Sequence, residues 1–219
     1  MRRFVRPLLN LAIFAGLILA AWPVGQTLYG VWNQRTLAAH FAREGEKGRA
    51  GERELKQRKT ATPQTKVNHS PSPALPFSPS RAKPAAKPPW RLTRLSIPDI
   101  NLETFVVQGM DDASLRRGPG HDPNSSPPGA GNCVVAGHRN VYGSFFYRLD
   151  ELLPGALITL ENRDGRFDYI VNSVFVTPAS NLTVLQPPTA GAPPVLTLIT
   201  CTLPHSNNRI ILQANLSSE

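Results

Sequence analysis

An all-β domain, a barrel or a sandwich, is predicted over residues 90–219, and three observations predict it. About seven short runs rich in β-branched and aromatic residues recur there between Gly and Pro. The charge balance changes near residue 90: residues 1–90 carry 15 Lys and Arg against 4 Glu, whereas residues 91–219 carry 9 Arg, no Lys and 11 acidic residues. An apolar stretch and a Pro-rich tract precede the change. The chain therefore divides into a basic start with an anchor (1–32), a charged and Pro-rich linker (33–89) and a folded domain (90–219).

The anchor comes first. No charged residue occurs between Arg6 and Arg35, and residues 8–24 are nearly all apolar. A bilayer core needs about 20 such residues as a helix. Arg2, Arg3 and Arg6 precede the stretch, which puts the N-terminus in the cytoplasm. Trp22, Tyr29 and Trp32 suit the far interface. A cleaved signal peptide also begins basic and then apolar, but no Ala-x-Ala site follows the run. Both readings export the rest of the chain, and the uncleaved single-pass anchor is the one expected. The net charge of +9 belongs to this N-terminal part, beside the apolar stretch, so proximity to a membrane surface is expected and nucleic-acid binding is set aside.

Next comes the linker. Residues 37–43 and 52–59 have helical character, and Gly45, Gly48 and Gly51 are expected to interrupt any longer helix. From residue 60 to 89 the chain is rich in Pro, Ser, Lys and Ala, a composition that cannot bury a core and favours an extended spacer.

The expected strands follow at 91–97, 101–107, 133–136, 156–160, 166–176, 195–200 and 209–216. Two helical pieces are expected between them, at 111–117 and 144–152. In the second, Phe145, Phe146, Leu149 and Leu152 form a core-facing stripe.

Chemistry is concentrated at strand ends. The two cysteines, Cys133 and Cys201, could form a disulfide in an exported chain. Alternatively, Cys201 ends one strand and His138 another, and the two could pair as nucleophile and base. Cys133 would then sit about 16 Å back along an extended strand, too far for a disulfide, which needs Cα atoms within about 7 Å. The residues alone leave both open. Arg209 opens the strand after the 202–208 turn, and antiparallel pairing would turn it and Cys201 toward the same cleft. A guanidinium there suits a carbonyl oxygen that is gaining charge.

These pieces form an ordered set. Thr197-Leu198-Ile199-Thr200-Cys201 resembles the T-L-x-T-C signature of the sortase family, with Arg209 eight residues later as in that family. Ala136-Gly137-His138-Arg139 resembles its histidine segment, and Leu95-Ser96-Ile97-Pro98-Asp99-Ile100-Asn101-Leu102 is similar to its first strands. So are Gly118-Pro119-Gly120-His121 and the following Pro128-Gly129-Ala130-Gly131-Asn132. The resemblance runs from about residue 91 to 217.

The resemblance implies a closed, sortase-type eight-stranded β-barrel with short helices. It implies a cysteine transpeptidase in which Cys201 is the nucleophile, His138 the general acid/base and Arg209 the positioner of substrate and oxyanion. Partners would be exported proteins with a C-terminal LPxTG-like sorting signal and an amine acceptor, a peptidoglycan precursor or a pilin Lys. Localisation would be the bacterial plasma membrane, with an extracytoplasmic catalytic domain.

Thr200, Arg139, His121 and His205 are candidate substrate contacts, and Cys133 is expected to be a buried apolar residue. Asp122-Pro123 is similar to the start of a pilin-polymerase lid, but Asn124 stands where an aromatic residue is expected. With the short 202–208 loop, this favours a housekeeping or class D/E-like enzyme over a pilin-polymerising one. Alternatives are a cysteine endopeptidase that resolves the thioester with water, and a catalytically silent membrane-tethered binding module. No calcium-like or zinc-like ligand pattern occurs, so no cofactor is expected. An ordinary thiol titrates at about 8.5 and an ordinary imidazole at about 6.5. Thiolate and imidazolium would thus coexist in a minority of molecules, which implies a bell-shaped pH profile.

Overall fold

A computed structural model describes residues 2–60, 90–202 and 206–218; within the first segment the described side chains fall between residues 13 and 47. The Pro-rich tract and His205 lie outside the described residues.

Among the described residues, eight strands close into a barrel. They are β1 (Thr93–Ile97), β2 (Leu102–Gln108), β3 (Gly120–His121), β4 (Asn132–Ala136), β5 (Leu157–Asn162), β6 (Gly165–Pro178), β7 (Val195–Cys201) and β8 (Asn208–Leu216). Their order around the barrel is β1-β2-β3-β4-β7-β8-β6-β5. β2 with β3 and β4 with β7 pair in parallel, and every other neighbour is antiparallel.

Alternation explains the core. β1 buries Leu95 and Ile97 and turns Arg94 and Ser96 outward; successive residues of a strand face opposite sides. Ile158, Leu160, Tyr169, Leu196, Leu198 and Leu212 fill the interior with essentially no exposure. Burying each such aliphatic side chain stabilises the fold by roughly 1.5–3 kcal/mol. Cys133 belongs to the same core. β6 carries a bulge between Val171 and Ser173 where it pairs with β8, which bends this 14-residue strand around the barrel.

β2 breaks the alternation, being buried on both faces from Thr104 to Val107. Val106 points into the barrel, whereas Phe105 and Val107 pack outside it against Leu37 and Phe41 of a long helix, α1 (Arg2–Thr60). The helix continues through Gly45, Gly48 and Gly51, contrary to the expected interruption. The neighbouring Ala, Glu, Arg and Lys are strong helix formers, and each Gly costs only about 1 kcal/mol. Among the described residues no helix is long and apolar enough to cross a membrane. Most side chains of the apolar 8–24 stretch fall outside those residues.

The helical pieces are shorter than expected. The first is α2 (Asp112–Leu115), capped by Asp111, whose carboxylate accepts from the Ser114 amide at 3.1 Å. The second is not a helix over 144–152. Tyr142, Gly143 and Ser144 have φ of 49°, 95° and 50°, a left-handed run incompatible with helix entry, and only a 3-10 turn at Leu149–Glu151 forms. Phe146, Leu149 and Leu152 are nonetheless buried in the core, with Phe145 packed against them.

Candidate active site

Three strand ends meet at one end of the barrel. Cys201 closes β7 and Arg209 is the second residue of β8, and the two are direct antiparallel partners. Opposed residues of such a pair project to the same face with Cβ atoms about 5 Å apart. On the other side β7 pairs in parallel with β4, up to Ala136 opposite Ile199. The Gly137 amide extends this ladder by donating to the Ile199 carbonyl at 3.0 Å, and the Thr200 hydroxyl donates to the Gly137 carbonyl at 2.8 Å. The ties thus reach Gly137, the residue before His138, and Thr200, the residue before Cys201.

The same register excludes a disulfide. Cys133 lies opposite Leu196, five positions back from Cys201 along a parallel strand, and both thiols are free. At about 3.3 Å per residue that is roughly 16 Å. Cys133 is fully buried, and burial pushes its thiol up to about 12, so it stays protonated and inert. Cys201 is half-buried.

The His138 backbone is fixed on both sides. Gly137 is tied to β7 before it, and the Phe146 amide donates to the His138 carbonyl at 3.2 Å. Gly137 lies against the Phe146 ring so closely that a Cβ would come within 2.7 Å of it, so only glycine lets the strand tip rest on this core aromatic. The imidazole lies beside Tyr142, ring centres 5.4 Å apart at 45°. Its buried Nε2 has no hydrogen-bond partner among the described residues. Burial depresses the imidazole below its ordinary value; Asp112 opposes the depression and Arg116 adds to it.

The remaining candidates divide. The Arg139 guanidinium donates to the Thr202 carbonyl and to Asp150, each at 2.7 Å, and so braces the segment leaving Cys201. Arg209 donates through Nη1 to the carbonyls of Ser206 (3.2 Å) and Asn208 (2.9 Å). Two expectations are corrected. Thr200 is 2% exposed, and its hydroxyl ties β7 to Gly137 instead of facing a ligand. His121 is 4% exposed on β3, stacked on Trp90 with ring centres 3.9 Å apart and 3.0 Å from the Ser125 hydroxyl and the Ser126 carbonyl. It is packed into the barrel wall, a placement set by Trp90 and the Ser125–Ser126 segment.

Asp112, Arg116 and Tyr142 were not apparent as part of this neighbourhood from the sequence. The only signal was Tyr142-Gly143, a turn pair four residues after His138, and nothing local marks the α2 charges. Among the described residues no group of three or more His, Cys, Asp and Glu could hold a metal ion.

Thr200→Val keeps the shape and removes the tie. The Gly137 carbonyl then loses a buried donor, which is expected to cost ~1–3 kcal/mol of stability by denaturant titration. Unchanged stability would mean that the hydroxyl bond contributes nothing.

A family model described as the sortase domain matches residues 95–217. Curated relatives include sortase SrtE1 of Streptomyces coelicolor, 40% identical over 79 residues (33% of this chain, 22% of that protein). Sortase D of Bacillus subtilis is 38% identical over 76 residues (34% of this chain, 37% of that protein). The matched stretch thus spans well under half of either relative's length. Among solved structures, the Clostridium perfringens Sortase D5 transpeptidase superposes with TM-score 0.54 and 29% identity, covering 58% of this chain and 79% of that one. A variant of sortase E from Streptomyces avermitilis gives TM-score 0.52 and 28% identity over 58% of this chain and 88% of that one.

Proposed function

The chain belongs to the sortase family, and from that premise we propose that it is a membrane-anchored cysteine transpeptidase acting on an LPxTG-like sorting signal. The Cys201 thiolate attacks the carbonyl carbon of the scissile bond. Arg209 donates to the oxygen that gains charge, and the tetrahedral intermediate expels the amine as His138 gives it a proton. The product is a thioester on Cys201 and a released C-terminal fragment. An amine acceptor, from a peptidoglycan precursor or a protein, then attacks the thioester. His138 takes the acceptor's proton, an amide bond forms and the thiolate leaves.

What carries the reading is the pairing register, with Arg209 opposite Cys201 and Gly137 tied to β7 beside Thr200. The apolar 8–24 stretch with its flanking arginines supports anchoring in the plasma membrane, with the barrel outside. The short segment between Cys201 and Arg209, together with the local similarity to an E-type and a D-type sortase, supports a class D/E-like enzyme.

The test supplies a labelled LPxTG-type peptide with and without a primary amine. The expected result is an amide adduct that appears only with the amine, through a Cys201 acyl-enzyme detected by mass. A peptide acid as the sole product at every amine concentration would replace transfer with hydrolysis.

A further inference from the structure

The long helix α1 touches the barrel at two places, and one of them is the loop that carries His138. The first is an anchoring contact. The Gln34 side chain accepts from the Phe105 amide at 2.6 Å and donates to the carbonyls of Phe105 (3.2 Å) and Arg117 (3.0 Å). Leu37, one turn on, is buried against Phe105 and Val107. A side-chain amide fully committed to backbone groups, next to a buried leucine, fixes the rotation of the helix about its axis.

That rotation aims Gly30, one turn before Gln34, at Tyr142. A Cβ at position 30 would lie 2.5 Å from the Tyr142 carbonyl oxygen and 2.9 Å from the Gly143 nitrogen, so the helix backbone itself rests on the loop. The contact falls where the loop is least able to hold itself. Tyr142 and Ser144 are non-glycine residues at positive φ, on either side of Gly143, and such conformations persist only where the surroundings enforce them. From this position the Tyr142 ring faces the His138 imidazole at 5.4 Å and stacks under the Arg116 guanidinium at 5.3 Å. Arg116 is in turn paired with Asp112 at 2.5 Å. The imidazole Nε2 finds no polar partner among the described residues, so packing rather than a hydrogen bond at that nitrogen sets the ring's place.

We propose that α1 is a working part of the catalytic apparatus: seated on Tyr142, it holds the loop that fixes the His138 imidazole, and Tyr142 is a positioning residue. The inference rests on the reading of His138 as the acid/base. The ionisable groups around the imidazole are Asp112 and Arg116 of α2 and its flank and Tyr142 of its own loop, with Tyr29 of α1 facing Arg116. Undocking the helix hydrates the ring and removes part of the burial that depresses its titration, so His138 should titrate at higher pH.

The experiment uses the full chain in lipid nanodiscs with histidine-selective 15N labelling; the His138 signal is identified by its loss in His138→Gln. Gly30→Leu wedges the helix off the loop, and Tyr142→Ala removes the ring. Both are expected to shift the His138 signal, raise its titration point and lower kcat about tenfold or more while KM stays within about twofold, because acid/base catalysis is sensitive to ångström-scale displacement. Tyr142→Phe should restore the signal and the rate. If Gly30→Leu fails to fold, Gln34→Ala loosens the anchoring contact that aims Gly30 at the loop, without added bulk, and is expected to act in the same direction. An unchanged His138 signal and titration in both the helix variant and Tyr142→Ala would overturn the proposal. A wild-type chain that transfers no acyl group would overturn the functional reading instead, while the imidazole signal would still report whether α1 holds the loop.

Discussion

Replacing Cys201 with Ala is expected to abolish the acyl-enzyme and lower turnover by about 10⁵-fold, the scale on which a covalent nucleophile's loss is felt. Cys133→Ala, in contrast, should leave acylation and transfer unchanged. The two thiols differ in exposure. Cys133 is closed inside the barrel with its titration pushed up to about 12, whereas Cys201 sits at a strand end, half-buried. Mass spectrometry of the intact chain after exposure to peptide distinguishes them, since one acyl adduct should appear on wild type and Cys133→Ala and none on Cys201→Ala. An adduct surviving in Cys201→Ala would remove Cys201 from the mechanism. The loss of one small buried side chain at position 133 costs stability through the cavity it leaves, so thermal melting run in parallel separates that effect from reactivity.

Arg209→Ala is expected to lower kcat/KM by about 10²–10³-fold, the usual effect of deleting a donor aimed at a developing oxyanion. The partition of that loss is the informative quantity. A fall carried by kcat would mean that the guanidinium acts on the transition state alone; a rise in KM alone would mean that it binds ground state and transition state equally. Arg209 donates to the Ser206 and Asn208 carbonyls, bonds a substrate carbonyl would have to share or displace. Lys presents a single point of charge and lacks the planar fork, so Arg209→Lys should recover only part of the loss. Full activity in Arg209→Lys would argue for charge alone.

Both predictions draw on residues that stand out in the amino-acid sequence, and the reason is local. A strand announces itself by alternation, as in β1, because each side chain faces the interior or the outside in turn, or by a short continuous apolar run, as in β7. A cysteine, a histidine and an arginine placed at the ends of such runs are therefore conspicuous. What escaped was everything set by packing at long range. β3 is two residues long and exists only because β2 and β4 offer it backbone partners on both sides. The stripe of Phe146, Leu149 and Leu152 was legible as core, yet the chain there is not the helix its spacing suggests. A left-handed run at Tyr142–Ser144 turns the chain sharply while the same side chains still reach the interior. His121 follows Gly118-Pro119-Gly120, a setting that suggests a turn residue rather than a buried strand residue. Its burial depends on Trp90 and Ser125, which only the closed barrel brings against it.

The sequence by itself determined the β domain, its longer strands and the strand-end positions of Cys201, His138 and Arg209, because these follow from pattern and spacing within short segments. Only the tertiary structure decided that Arg209 stands opposite Cys201, that Thr200 ties its strand to Gly137, and that α1 rests on Tyr142 beside His138. Those facts depend on register and on approach between segments distant in the chain. Such proximity is set by the joint packing of the whole barrel, and no local preference encodes it.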